Sequence, residues 1–541
     1  MLNQTALRLV AMRVSLINPN NLGSYRSAQI VAENLGIARL ASHIEALGHD
    51  VQMVDARLWN LKPKESARTV RAFSPSVVGV SLICEQAVRW TNDFINEFEC
   101  SPESPICIAG GYFPTLQPAR TLKLMPRLDA LALGEGEAVV EELIHRLAKS
   151  PEMWRDSRGL CMRTEGGALR RNPRPSLVKD LDKLPWPRRY ATELMDDNFE
   201  VLIEGSRGCK LACTFCAIRP FFRSNGDSVW RGRTPEDIVA EMLAIRHSSP
   251  KVKRFRFVDT DFIGFEAEGT KRALRFAELI VERLPGIQFC IETRAQSVKA
   301  HGYLFRALRD AGLQEVFIGV ESGSQRILDR MRKNITVDDI IDAVATLKTM
   351  GISVSYGFMM FTPWTKEEDI RANIALLRTL GGVEFDKLFH EMDLIPGTPA
   401  IKQGQALGSI SAKAGTGYFT YPMDGLVARA RFCWQALELR HRDFLERVWF
   451  LYKDGQTASQ MGCAGGAQLE ERASELNLRM FDFCLTALKG AYNGEVTVEA
   501  VADACVNKFS SEVNSLSALI NDNYRFPRPD AIRQKLSRAI S

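Results

Sequence analysis

The sequence predicts an α/β chain in three structured parts: an N-terminal doubly wound, Rossmann-like domain, a partial (β/α)6 barrel, and a helical C-terminal domain. Three observations carry this. Short apolar runs alternate with amphipathic stretches from the start of the chain to residue 150, the alternation resumes near residue 200, and beyond residue 400 the apolar positions follow a helical period. A chain of 541 residues exceeds what one core holds. The expected parts are therefore 1–150, a connector at 151–199, the barrel at 200–400, and 401–541 as a helical substrate cap.

In the first part "RVSLINP" (13–19), "DVQMVD" (50–55), "SVVGVSLI" (76–83), "PICIAGG" (105–111) and "LDALALG" (128–134) read as parallel strands, with helices such as "GIARLASHIEALG" (36–48) between them. A doubly wound sheet binds its ligands outside the carboxyl ends of the strands. Gly23, Gly110, Gly111, Gly134 and Gly136 fall at those ends, where glycine permits tight turns or close approach. The connector is proline-rich ("RNPRPSLVKDLDKLPWPRRY", 171–190) and too polar to hold a core of its own. Six strands are expected in the barrel: "FEVLIEG", "RFRFVDTDF" (254–262), "IQFCIETRAQ" (287–296), "EVFIGVESGS" (315–324), "ISVSYGFMMF" (352–361) and "DKLFHEMDLIPGTP" (386–399). Residues 427–453 read as a long helix, with a Gly-rich break at "MGCAGGA" (461–467).

Composition excludes several classes. The chain is 45% hydrophobic and 25% charged with a net charge of +5 and no long basic run, so neither disorder nor an obligatory nucleic-acid partner is implied. No segment approaches the ~18 apolar residues of a membrane span, and Arg8 and Arg13 interrupt the apolar N-terminus, so a cytoplasmic location is expected. Twelve cysteines are too few for a disulfide scaffold in this length, and nine are scattered singly as small hydrophobes.

The other three, Cys209, Cys213 and Cys216, stand in a C-x3-C-x2-C loop directly after a strand: "EGSRGCKLACTFCAIRP". Thiolates at this spacing converge when the backbone curls, which suits an inorganic iron-sulfur cluster. Structural zinc wants four ligands, and no second pair or nearby histidine supplies a fourth. A redox C-x2-C from Cys213 and Cys216 leaves Cys209 without a role. Three ligands on a four-iron cubane leave one iron open to a reactant.

With Phe215 before the last cysteine, the loop resembles the signature of the radical S-adenosylmethionine (SAM) enzymes. The resemblance extends over 200–400, where "VDTDF", "ETRAQ", "IGVESGSQRILDRMRK" and "GFMMFTPWTKEED" are similar to the family's successive strand ends. It implies that Cys209, Cys213 and Cys216 ligate a 4Fe-4S cluster whose open iron chelates SAM, and that reduction cleaves SAM to methionine and a 5'-deoxyadenosyl radical. It also implies Phe215 and Ala217 beside the cofactor, with Ala217 next to the adenine. Asp259, Arg294, Glu321 and Ser322 become cofactor contacts, the last three toward the ribose and methionine portions. Polar residues at strand ends face a barrel mouth, where active sites are built. "FTPWTKEED" departs from the family's commoner G-x-P-x-E-T.

The N-terminal part resembles the cobalamin-binding domain that precedes the barrel in one large subgroup. Histidine-ligating cobalamin domains carry D-x-H-x-x-G, S-x-L and G-G. Here Asn18 to Gly23, with Asn20 at the histidine position, Ser81-Leu82-Ile83 and Gly110-Gly111 stand at those places. The resemblance thus implies cobalamin bound without a histidine ligand, through the strand ends at Asn20, Gly23, Ser81, Gly110, Gly111 and Gly134. "GEGE" (134–137) also occurs in family members that have lost cobalamin.

The function expected is cobalamin-dependent methylation of an unactivated carbon in a small-molecule or natural-product intermediate, with an external one-electron donor such as flavodoxin or ferredoxin. Trp230, Trp364, Tyr418 and Tyr421 are candidate substrate contacts. The alternative is a cobalamin-independent dehydratase, epimerase, cyclase or rearrangement enzyme with a vestigial domain. A tRNA methylthiotransferase would bring an N-terminal cysteine triad and a basic RNA module, and neither is visible. A non-catalytic iron-sulfur sensor is the reading from another class.

Overall fold

The computed structural model describes residues 11–20, 32–98, 104–192, 200–222, 230–264, 266–412, 419–421, 423, 425–460, 463–490 and 497–523. The described residues group into two compact units, one built from 1–208 and 217–254, the other from 209–216 and 255–527.

Strands apolar on both faces need cover on both faces, and the first unit supplies it. Strands β1 (Arg13–Asn18), β2 (Asp50–Asp55), β3 (Val77–Ser81), β4 (Ile106–Gly110) and β5 (Ala130–Ala132) form a parallel sheet in the order β2-β1-β3-β4-β5. Helices α1 (Leu35–Ala46), α2 (Pro63–Phe73), α3 (Val88–Ile95) and α4 (Glu137–Lys149) cover it. Val14, Leu16, Val77 and Ile108 pack with α1 and α4 on one side, while Ile17, Val78, Val80 and Ala109 pack with Phe94 of α3 on the other. The strand order reverses between β1 and β3, and a doubly wound sheet opens its ligand crevice at such a point.

The connector departs from expectation. Residues 151–199 carry β6 (Leu160–Arg163) and β7 (Leu169–Arg171), which extend the sheet antiparallel beyond β5. Leu160, Cys161 and Met162 are buried there. Three apolar residues between Gly159 and Arg163 are too short a run to read as a strand without their partner. The unit also holds β8 (Glu200–Ile203), the small antiparallel pair β9 (Ser206–Arg207) and β10 (Arg231–Gly232), and helix α5 (Pro235–Ser248). Thr234 caps α5 by accepting the Asp237 N–H, with Pro235 in the first turn.

In the second unit β11 (Arg254–Phe257), β12 (Gln288–Thr293), β13 (Leu313–Glu321) and β14 (Ser353–Phe358) lie in the order β14-β13-β12-β11. Their pairings are parallel from β12 to β14; helices α6 (Glu266–Arg283) and α7 (Val337–Thr349) run between strands and α8 (Glu367–Leu380) follows β14. Phe257, Phe262, Phe276 and Phe289 interlock edge to face between the sheet and α6. The expected sixth strand at 386–399 is not formed as such: Phe385–Phe389 is a 3-10 turn, and only Glu391 pairs, in parallel with Phe361. Just before this stretch the chain is tied to the C-terminal helices: Ser474 accepts the Val383 N–H and Asn477 donates to the Val383 carbonyl.

The C-terminal part is helical as expected: α9 (Gly425–Arg440), α10 (Arg442–Gln460), α11 (Gly466–Gly490) and α12 (Val498–Asn523). The single long helix read over 427–453 is divided at His441. Cys433, Cys484 and Cys505, far apart in sequence, meet in the bundle core as fully buried thiols. The Cys484 contact and burial push the Cys433 thiol far up, and Cys484, drawn down by Cys433, is pushed up by Cys505 and burial, which makes both inert packing.

Candidate active site

The three-cysteine loop is pinned at its centre. Thr214, fully buried, donates its N–H to the Met331 carbonyl (2.9 Å) while its own carbonyl accepts from Ala400 N–H (2.9 Å). The Cys216 N–H turns back onto the Cys213 carbonyl at 3.3 Å. These bonds curl the backbone, leaving Cys209 buried and Cys213 and Cys216 half-buried. Burial raises the Cys209 and Cys213 thiols, so ligation there releases protons. Among the described residues no trio of His, Cys, Asp or Glu closes tightly enough around a single ion. A loop with this cysteine spacing suits a polynuclear cluster.

Charged side chains at the strand ends surround the loop electrostatically. Arg294, following β12, donates from Nε to Asp261 Oδ2 (2.7 Å) and from Nη2 to the Gly264 carbonyl (2.6 Å). Asp261 is 1% exposed and also accepts from Thr293 Oγ1. Both members of this pair act on Cys209. Asp259 is equally buried beside them in sequence. Glu321, at the end of β13, has φ of 69°, a left-handed backbone that side chains rarely adopt, and a register shift in the β13–β14 ladder accompanies it. Ser322 is 1% exposed and its hydroxyl is committed, donating to Asn373 Oδ1 (2.8 Å) and accepting from Ser324 N–H. It braces the turn that aims Glu321.

Phe215 packs with Ile327, Met331, Met359, Trp364 and Met392. Trp364 is thus interior, and Tyr421 is 6% exposed with its hydroxyl donating to Glu391. Trp230 is half-buried in the first unit, and Tyr418 lies outside the described residues. Ala217, whose carbonyl accepts the Phe221 N–H, opens a short helix there.

Glu292 was not singled out from the sequence. It shares a face of β12 with Cys290, opposite the face where Phe289 meets the helices, and burial, opposed by Arg256 and reinforced by Asp259 and Glu315, pushes its carboxyl up to about 7. The unfolded chain ionises this group from its ordinary 4.5 while the folded protein keeps the proton. Glu292 therefore weakens folding progressively as pH rises from 4.5 to about 7 and by a constant amount above that. Glu292→Gln flattens this limb: relative to wild type, the variant gains urea resistance at pH 7.5 and gains none at pH 4, and equal shifts at both would contradict the assignment.

In the first unit, the carboxyl edge brings together the residues expected to hold cobalamin. Asn18, the last residue of β1, donates to Asp55 Oδ1 at the end of β2 (2.8 Å), and Tyr190 donates to Asp55 Oδ2 (2.5 Å). Asn20 donates to Asn60 Oδ1 (3.0 Å). Ser81 and Gly110 are paired at the ends of β3 and β4. Gly111 has φ of 109°, and a Cβ there would lie 2.6 Å from the Leu82 carbonyl oxygen. Gly134 has φ of 90° and donates its N–H to Thr115 Oγ1. Gly23 lies outside the described residues. The "GEGE" carboxylates hold the unit together: Glu135 accepts from Arg207 and Arg231, and Glu137 from Arg207. The edge offers small residues and polar groups, with an amide rather than an imidazole at residue 20, so the residues fit cobalamin held without a histidine ligand.

A three-cysteine loop beside the strand ends of a parallel sheet, with a doubly wound domain in the same chain, suits an iron-sulfur enzyme of two cofactor modules. Comparison with known proteins agrees. The radical SAM superfamily matches residues 203–377 and the B12 binding domain residues 26–144. An uncharacterized methyltransferase of Pyrococcus horikoshii is 29% identical over 64% of this chain and 73% of its own length. An anaerobic magnesium-protoporphyrin IX monomethyl ester cyclase of Rubrivivax gelatinosus is 27% identical over 64% of this chain and 62% of its own. The solved cobalamin-dependent SAM radical enzyme OxsB, with aqua-cobalamin and SAM bound, superposes with a TM-score of 0.73 at 18% identity, covering 98% of this chain and 84% of that one. The radical SAM methyltransferase TsrM of Kitasatospora setae gives 0.58 at 18% identity, over 75% and 80%. The chain carries a radical SAM domain at 203–377 and a B12-binding domain at 26–144, and is a radical SAM enzyme whose cofactors are a 4Fe-4S cluster, SAM and cobalamin. Among the described residues no helix is long and apolar enough to cross a membrane.

Proposed function

We propose that the protein is a cobalamin-dependent radical SAM methyltransferase acting on an unactivated carbon of a small molecule or natural-product intermediate, drawing electrons from an external one-electron donor. The observation that carries this reading is the coexistence of the pinned C-x3-C-x2-C loop with a B12-type strand edge that keeps its glycines but lacks the histidine. The name of the Pyrococcus relative supports it. When bound, the cluster supplies the electron that cleaves SAM, and cobalamin supplies a carrier for the methyl group. Cys209, Cys213 and Cys216 ligate the cluster. Arg294, fixed by Asp261, and Glu321, aimed by the Ser322 turn, orient SAM, with Phe215 and Ala217 beside it and Asp259 at the same mouth. Asn20, Gly23, Ser81, Gly110, Gly111 and Gly134 line the cobalamin edge, and 401–541 caps the substrate. Holding a C–H bond near the 5' carbon in a dry site is what the protein contributes to the rate.

The test is SAM turnover by the reconstituted protein under dithionite, with and without cobalamin. The reading expects 5'-deoxyadenosine in both, and S-adenosylhomocysteine only with cobalamin. Deoxyadenosine alone, whatever the cobalamin content, would instead favour a dehydratase, epimerase, cyclase or rearrangement enzyme.

A further inference from the structure

Lys333 follows the short helix Gln325–Arg330 after β13, where the sequence gives it no evident role, yet it is 8% exposed. Its Nζ donates to Glu321 Oε1 at 2.8 Å, with the two side chains 10% and 12% exposed. The surrounding backbone is arranged for this contact. Arg332 and Asn334, on either side of Lys333, have φ of 52° and 53°, and Glu321 has 69°, three left-handed non-glycine residues around one ion pair. Gln296 donates to the Lys333 carbonyl (2.9 Å). A Cβ on Gly319 would lie 2.5 Å from Glu321 Oε1 and 2.6 Å from Lys333 Nζ, so the glycine leaves the space the pair fills.

The pair stands within electrostatic reach of the cysteines. Lys333 acts on Cys213 and Cys216, and Glu321 acts on Cys213 in the opposite sense. Burial alone would draw the Lys333 ammonium down, but the Glu321 carboxylate it bonds holds it above its ordinary value, so it is charged. In a weakly polarisable interior such charges act strongly across a few ångströms.

We propose that Lys333 is a positioning residue for the redox centre: its ammonium offsets the negative charge of the thiolate-bound cluster and raises the cluster's reduction potential, while Glu321 opposes it. On reduction the cluster takes one electron from an external one-electron donor and gains one unit of negative charge, with no bond broken. A fixed cation beside it favours that state and a fixed anion disfavours it. The inference rests on the reading of Cys209, Cys213 and Cys216 as cluster ligands.

The experiment is a potentiometric titration of the reconstituted full-length protein, without SAM, followed by electron paramagnetic resonance of the reduced cluster. Lys333→Met is expected to shift the midpoint potential more negative, Glu321→Gln more positive, and Lys333→Arg to stay close to wild type. Shifts of the same sign in Lys333→Met and Glu321→Gln, or none in either, overturn the inference. If Lys333→Met assembles no cluster, the sign of the Glu321→Gln shift decides. Loss of the cluster in all three variants overturns it in favour of a purely structural pair. A wild type that builds no four-iron cluster refutes the ligand reading itself, a result distinct from all of these.

Discussion

Cys213→Ala is expected to abolish the cluster while sparing the cobalamin domain. Changes to groups that only support metal ligands already cost about 10–100-fold, so removing a ligand should cost SAM cleavage at least about 100-fold and bring it to background. The location of Cys213 makes the effect specific. Its neighbour Thr214 anchors the loop through backbone bonds to Met331 and Ala400, which alanine at position 213 leaves untouched. Cys107→Ala is the control: Cys107 lies 4% exposed in β4 of the other unit and is a packing residue. Iron content by metal analysis should collapse for Cys213→Ala and hold for Cys107→Ala. Retention of iron and SAM cleavage by Cys213→Ala would remove the three-ligand reading.

Gly111→Val should do the converse, losing cobalamin and keeping the cluster. At φ of 109° a β-branched residue is strained, and its Cβ would meet the Leu82 carbonyl oxygen at 2.6 Å. The backbone must shift where Phe113 N–H bonds the Leu82 carbonyl and Leu82 N–H bonds the Gly110 carbonyl, so the carboxyl edge between β3 and β4 deforms. After reconstitution and desalting, cobalt per chain should fall at least about tenfold, the loss given by about 1.4 kcal/mol of weaker binding, with iron per chain unchanged. Cobalt retained at the wild-type level would show that this edge does not hold the corrinoid.

The parts legible in the sequence were those with a local period or a local motif. Alternating apolar runs located the first five strands and four of the barrel strands after residue 250, and the cysteine spacing located the loop. What the sequence hid depends on contacts distant along the chain. Leu160–Arg163 becomes a strand because β5 lies beside it, and 386–399, which follows a Val383 bonded to Ser474 and Asn477, forms a 3-10 turn and one bridge in place of a strand. Lys333 and Glu292 escaped for the same reason. A lysine after a short helix and a glutamate within a strand read as solvated charges until the fold buries one against Glu321 and the other near Arg256, Asp259 and Glu315. The pairing of Arg294 with Asp261 was invisible too, although Arg294 was marked by its strand-end position and Asp261 lies within "VDTDF". The meeting of Cys433, Cys484 and Cys505 has no sequence signal, since each sits at an ordinary apolar helix position.

The most direct test of the two-cofactor reading is a metal count. The protein is reconstituted without oxygen in the presence of iron, sulfide and hydroxocobalamin, desalted, and analysed for iron and cobalt with its visible spectrum. About four iron atoms, the content of one cubane, and near-stoichiometric cobalt per chain are the predicted result. Iron without cobalt would contradict the cobalamin-dependent function, and a chain that retains zinc in place of iron would contradict the enzyme class as well.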